Sequence, residues 1–328
     1  MTTTVQPAAA PLRPVPAVAV AHRPAEAHPV RVGVITGLSA YLAWGFIPLF
    51  FKLVAHVPPI VVLSHRILWS ALFVGAILTA QRRWREVVAA VRSRITLLAL
   101  AASTAMIAVN WFVFLWAVTN KQVVQAGLGY FINPLVSVLL GIVFLRERLR
   151  FGQAGALLLA TAGVLVQIVA RGTFPWVALT LAWSFAFYAL LRKTAPVGPL
   201  VGLFVETMLL IPLAAFFVTR HAADSDATPI DGRTFALLAA SGVVTAVPLI
   251  LFATAARRVT MATLGFLQFI SPTCQLLLAV LAFKEPFTRW HLLSFGLIWL
   301  ALLLYCVEAL RAYRKPPDPV LDVTCAEA

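Results

Sequence analysis

Three ionisable side chains sit inside long apolar runs: His65 and Arg66 in VVLSHRILWSALF, and Glu206 in VGLFVETMLLIP. An ion among such neighbours is costly, so each is a functional candidate by default. Arg66 and Glu206 can line a cavity, bind a charged group of a solute, or gate it as an ion pair. Glu206 and His65 can also take up a proton within the membrane, and a histidine can relay protons near neutral pH. Ordinary roles compete with these. Arg66 can snorkel to the headgroups, Glu206 can pair with Arg192 or Lys193, and His65 can be a hydrogen-bonded structural residue.

A second set carries no charge. Asn133-Pro134 and Ser271-Pro272 each fall near the middle of an apolar run. Proline removes a backbone donor and frees the carbonyl four residues earlier, here those of Tyr130 and Gln268. Such carbonyls must face protein or a water-filled cavity. Pro134 and Pro272 are therefore read as helix breaks at a site lined by Tyr130, Asn133 and Gln268. Packing kinks are the competing reading. Asn110 can bind solute or join helices. Trp44 and Trp183 can line a cavity for a ring-bearing solute, with core packing as the alternative. Glu147 and Glu285 read as solvated charges or helix-dipole partners. No HExxH, GxSxG, paired-carboxylate or P-loop pattern occurs, so neither catalysis nor ATP drive is expected. The spacing of Cys274, Cys306 and Cys325 suggests no metal, cofactor or redox pair.

The elements that must position these residues follow from hydropathy. Of 328 residues, 61% are hydrophobic and 12% charged, against about 25% charged in soluble domains. Ten apolar runs are predicted as membrane helices: 33–51, 59–80, 95–119, 122–145, 151–170, 174–191, 199–219, 234–256, 259–283 and 290–310. The proline-rich residues 1–32 read as a disordered cytoplasmic tail, and 313–328 as a second one. The net charge is +14. With the N-terminus inside, 18 of the 26 Lys and Arg fall in inner segments and seven in outer loops, leaving Arg66 within a span. That bias places both termini in the cytoplasm and explains the basic balance without nucleic acid.

The chain also repeats. AGLGYFINP (126–134) lies on LGFLQFISP (264–272) at an offset of 138, and Leu42-Ala43-Trp44 lies on Leu181-Ala182-Trp183 at 139. Arg66 and Glu206 correspond at 140. Two units, 33–171 and 172–312, hold five helices each, and the odd number inverts the second in the membrane. Inversion sets Arg66 and Glu206 toward opposite faces, with roughly 10 Å between their backbone heights, so contact needs both side chains extended.

These residues also resemble a known family. AYLAWGFIPLFFKL (40–53), SHRILWS (64–70), NWFVFLWAV (110–118), GLGYFINPLVSVLLG (127–141) and VTAVPLILFATAARR (244–258) are similar to RarD-type proteins of the EamA group, in the drug/metabolite transporter superfamily. The resemblance runs from about Val32 to Ala312. It implies an all-α integral membrane fold of ten transmembrane helices in two inverted EamA repeats, moving a small-molecule solute across the bacterial inner membrane. The expected function is secondary, ATP-independent transport by alternating access. A non-transporting scaffold or sensor, and an integral-membrane enzyme, are the competing classes. The lipid bilayer is the expected surrounding; proton coupling through Glu206, His65 or Glu308, and a homodimer, are left open.

Overall fold

The computed structural model describes residues 27–120, 122–171, 174–224, 229–282 and 289–314. They are all-helical apart from short connections. The helices are α1 (Ala27–Lys52), α2 (Pro59–Ala80), α3 (Trp84–Arg92), α4 (Arg94–Thr119), α5 (Val123–Leu145) and α6 (Phe151–Arg171). After these come α7 (Trp176–Thr194), α8 (Pro199–Ala222), α9 (Gly232–Ala256), α10 (Met261–Gln268), α11 (Ile270–Leu277) and α12 (Arg289–Arg314). A single π-helical turn, Leu278–Ala282, extends α11.

Local chemistry sets many of the ends. Pro59 and Pro199 open α2 and α8, where the missing N–H has no intrahelical partner to lose. Ser93, Asp231 and Thr260 cap α4, α9 and α10 by accepting from backbone N–H groups three residues on. At Arg146 the chain turns left-handed, φ 54°, which ends α5 and carries Glu147 out of the helix direction.

Among the described residues, eight helices are long and apolar enough to cross a membrane: α1, α2, α4, α5, α6, α8, α9 and α12. The expected runs at 174–191 and 259–283 are helical but fall outside that set. In α7 the last turn carries Arg192 and Lys193, which dilute its apolarity. The other run is not one rod, since it breaks between α10 and α11 and then unwinds into the π turn. The helix break expected at Pro272 lies three residues earlier, at Phe269. Pro134, by contrast, sits inside a continuous α5.

Two expected boundaries move. The first helix begins at Ala27, so residues 27–32 are not tail. Pro29 lies in its first turn, where no intrahelical hydrogen bond is lost. The last helix runs to Arg314. Residues 1–26 and 315–328, which hold the rest of both expected tails and Cys325, lie outside the described residues, as do Lys121, Lys284 and Glu285. The arginine-rich stretch after α2, left as an inner connection between two expected spans, contains the amphipathic α3, with Val87 and Ala90 buried and Trp84 set edge-on against Phe204.

The bundle is apolar outside as well as inside. Ile95, Leu98, Leu158 and Val169 are 70–77% exposed, an arrangement suited to lipid and not to water. Polar side chains turn inward instead: Ser64, Ser103, Asn133, Gln167, Arg192, Glu206 and Gln268 are all buried. Backbones approach closely at small residues. A Cβ on Gly265 of α10 would stand 2.7 Å from the carbonyl oxygen of Pro134, and one on Gly129 would stand 3.0 Å from Leu181 Cβ.

Candidate functional site: a one-ended cavity and a polar lock

A cavity of about 620 Å³ lies inside the bundle, within the usual size range for small-molecule sites. Its walls are the C-terminal halves of α1 and α4, the N-terminal halves of α2, α5 and α7, the middle of α9, and the α10–α11 break. Successive long helices alternate in direction, so these portions share one end of the bundle. Much of the wall is aromatic. Tyr41, Trp44, Phe185 and Phe252 form a cluster with ring centroids 5.2–6.1 Å apart, and the first three face the cavity.

Arg66 enters from the second turn of α2. Its Nε donates to Thr245 Oγ1 of α9 at 2.9 Å. The guanidinium carbon lies 4.7 Å from the centre of the Phe51 ring and 5.5 Å from that of Trp111. Two ring faces and one hydroxyl thus hold the cation in place. No carboxylate of the described residues comes within 4 Å of it. The side chain lines the cavity and does not snorkel past it.

Two asparagines join this wall to α7. Asn133 Nδ2 donates to the Ala182 carbonyl at 2.7 Å. Asn110 Nδ2 donates to the Leu181 carbonyl at 2.9 Å and to Ser184 Oγ at 3.0 Å. On the opposite side Gln275 Nε2 of α11 donates to the Trp44 carbonyl of α1 at 3.3 Å. The Leu-Ala-Trp stretches of α1 and α7 thus both accept from side-chain amides, through the Trp44 carbonyl in α1 and the Leu181 and Ala182 carbonyls in α7. Neither Gln275 nor Thr245 was singled out from sequence. Gln275 lies one turn beyond Ser271 on α11, and that four-residue spacing is the available signal.

The cavity brings together Arg66, Trp44, Asn110, Tyr130, Asn133 and Gln268. It does not include His65, Glu206, Trp183, Pro134 or Pro272. His65 is buried beside Phe235 of α9, with ring centroids 6.4 Å apart, and its Nδ1 has no hydrogen-bond partner among the described residues. Trp183, the positional counterpart of Trp44, is 38% exposed and stacks on Phe187. Helix α7 presents position 183 on its lipid side, because positions 182 and 186, buried completely, define its inner stripe.

Glu206 belongs to the other end. Its Oε1 lies 3.5 Å from Arg192 Nη1 and accepts from Ser103 Oγ at 2.5 Å, and Oε2 accepts from Tyr188 at 3.4 Å. Glu206 and Arg192 are 2% and 1% exposed. The two-end arrangement keeps Arg66 and Glu206 apart, and the alternative partner, Arg192, is the one found. Gly202 makes room for that partner, since a Cβ there would overlap the guanidinium.

More contacts close this end. Arg257 Nη1 donates to the Ala195 and Val197 carbonyls, both at 2.6 Å. Burial, then the nearby Arg192 and Arg258, hold its guanidinium below the ordinary arginine range. Lys193 Nζ donates to the carbonyls of Ala256 and Val259, at the C-terminus of α9. Glu147, carried by the left-handed turn, accepts from the N–H groups of Met261 at 2.7 Å and Ala262 at 3.2 Å, at the N-terminus of α10. Both placements suit the helix dipoles. In the sequence Arg257 looks like a plain loop charge and Lys193 like a possible partner of Glu206. Only the approach of α7, α9 and α10 reveals what they bind.

The comparisons bear on the whole arrangement. Residues 31–169 match the model of the EamA-like transporter family. Over 293 residues the chain is 42% identical to "Protein RarD" of Salmonella typhi, covering 88% of this chain and 99% of that protein. It is 44% identical to an uncharacterized transporter of Pseudomonas aeruginosa, covering 88% and 98%. It is 32% identical to a "chloramphenicol-sensitive protein RarD" of the same organism, covering 86% and 96%. A crystal structure of a protein 19% identical shares the fold at TM-score 0.66, over 85% of this chain and 98% of that one. The chain is thus a multi-pass membrane protein of the EamA-like transporter family, among the RarD homologues of the drug/metabolite transporter superfamily.

Proposed function

We propose that this protein is a secondary transporter carrying a small organic solute across the bacterial inner membrane by alternating access. The observation that carries the reading is the difference between the two ends. A cavity lies at one end, and a lock of buried charges and backbone contacts draws the helices together at the other. Opening the lock while sealing the cavity mouth would expose the same site to the opposite side.

In the proposed architecture the polypeptide crosses ten times, with α7 and the broken α10–α11 segment as the two crossings beyond the eight apolar helices. Units 33–171 and 172–312 are inverted repeats. Helix packing supports this reading, because the pairing survives exchange of the halves. The α1–α9 contact has its counterpart in α7–α4, and α5–α7 in α10 and α11 with α1. The α2–α8, α6–α12 and α5–α10 pairs map onto themselves. With both termini in the cytoplasm, as the loop charges favour, the cavity faces outward and the lock faces inward.

Arg66, Tyr130, Asn133, Gln268, Asn110 and Trp44 form the proposed solute site. Glu206, His65 and Glu308 do not border it, so the proposed solute site itself needs no proton. The test is reconstitution into liposomes with a metabolite and drug panel, with and without a pH gradient. The reading expects flux of at least one solute, lost in Arg66→Gln with the fold retained. Correctly folded protein that moves nothing on the panel would favour a scaffold or sensor.

A further inference from the structure

We infer that the solute held in this cavity is an organic carboxylate with an apolar, ring-sized body. The inference deepens the transporter reading and rests on it. The sign of the charge comes from the wall. Its charged members among the described residues are Lys52 and Arg66, and none is acidic. Arg66 is held from two sides by rings and through Nε by Thr245, and no protein acceptor among the described residues meets its two terminal nitrogens. Those nitrogens form the edge of the guanidinium that binds a carboxylate through two parallel hydrogen bonds.

The proposed repeat supplies an internal comparison. At the position matching Arg66 the second unit has Glu206, and that carboxylate is bound by the chain's own Arg192. One end thus contains both members of a carboxylate–guanidinium pair. At the other end the guanidinium faces a cavity, and the solute supplies the carboxylate. The body follows from the remaining wall. Trp44, Phe185, Trp111 and Phe51 present ring faces and edges, while Asn110 and Asn133 have their amide nitrogens engaged on α7. An ammonium group would meet no carboxylate in this wall, so aromatic amines are disfavoured.

The experiment measures equilibrium binding, which needs no flux. Protein in lipid nanodiscs is titrated by calorimetry with 3-phenylpropionate and 4-phenylbutyrate, their amides, and the amines of matching length. A carboxylate is expected to bind about ten- to a hundredfold tighter than its amide, as a charge-assisted pair would give. Arg66→Gln should erase that ratio and leave amide affinity within about twofold. Arg66→Lys, which keeps the charge but not the planar edge, should shrink the ratio at least threefold, and it decides the matter if Arg66→Gln does not fold. Equal binding of acid and amide, tighter binding of amines, binding by none of the compounds, or an unchanged ratio in either variant would overturn the inference. Carboxylate-selective binding without liposome flux would instead defeat the transport reading and leave the anion site standing. Flux of neutral solutes without acid selectivity would do the reverse.

Discussion

Substituting Glu206 by Gln tests whether the buried pair with Arg192 holds one end of the bundle shut. At 3.5 Å and an effective dielectric of about 20, the attraction is about 5 kcal/mol. Gln keeps one acceptor oxygen and sets an NH2, which can donate to a hydroxyl oxygen, in place of the other, but it leaves the Arg192 charge stranded. Removing one partner of a buried pair costs about 3–5 kcal/mol. The lower end applies here, because Arg192 Nε and Nη1 make no hydrogen bond among the described residues. Glu206→Gln should therefore destabilise the protein by about 3 kcal/mol, roughly a hundredfold in the folding equilibrium. Arg192→Gln should cost a similar amount. The double variant carries no stranded ion, so it should be at least about 2 kcal/mol better than the sum of the two. Unfolding titrations in mixed micelles give the cycle directly. A second readout separates gate from general stability: in a cysteine-free background, a Cys at Val201, buried at this end, should react faster in Glu206→Gln with a maleimide supplied from the side proposed to be cytoplasmic. Additive single costs would refute the pair as a unit. An unchanged labelling rate would refute it as a lock.

Gly265→Ala should lower the melting temperature, because its Cβ would stand 2.7 Å from the Pro134 carbonyl oxygen with backbone on both sides. Overpacking of this kind costs about 1–3 kcal/mol, and an unaltered thermal melt would show that the two segments can slide apart. Asn133→Ala removes the bond to the Ala182 carbonyl and should cost about 1 kcal/mol, read in the same micelle titration. Trp44→Ala is expected to weaken solute binding at least fivefold by calorimetry, while Trp183→Ala leaves it unchanged; the opposite order would exchange their roles. At the exposed end of α9, the Thr234 side chain and N–H hold the Asp231 carboxylate below its usual range. Its stabilisation is therefore complete above the unfolded value, near 3.8, and fades as pH falls through the lowered one. Melting curves from pH 6 to 3 should show a part of the acid destabilisation that is absent in Asp231→Asn.

Hydropathy placed a helix at nine of the ten expected runs, because each covers a hydrocarbon thickness with apolar side chains, and eight of those helices are long and apolar enough to cross by themselves. The two segments outside that eight have tertiary causes. Helix α7 keeps Arg192 and Lys193 in its last turn because Glu206 and the end of α9 receive them. The 259–283 run breaks at Phe269 and not at Pro272, where α10 lies against the Pro134 carbonyl of α5. Hydropathy averages over a window and cannot register a crossing point. Helix α3 escaped for a related reason. Its arginines read as loop charge, and only the 3.6-residue spacing of Val87 and Ala90 marks the face that packs.

The site was legible where chemistry is expensive and illegible where geometry assigns partners. An ion deep inside an apolar run costs enough to be noticed, so Arg66, Glu206 and His65 stand out from the sequence, whereas Arg192, buried at a helix end, does not. What each does depends on which end of which helix it reaches. The 140-residue correspondence relates Arg66 to Glu206, and inversion of the units sets them toward opposite faces; which cation meets Glu206, Arg192, is settled only by the approach of α7 to α8. The same reasoning separates Trp44 from Trp183. Correspondence in an inverted repeat relates environments in alternate states of the cycle, not neighbours in one state. In the state that opens the other way, the surroundings of Glu206 should come to resemble those of Arg66 here, with Arg192 drawn from its carboxylate and the mouth above Arg66 closed. A cysteine at Leu63, which lines the present cavity, should then be protected from an external maleimide under conditions that expose the one at Val201. If both positions became reactive together, the two ends would not be exchanging roles, and the alternating scheme would fail.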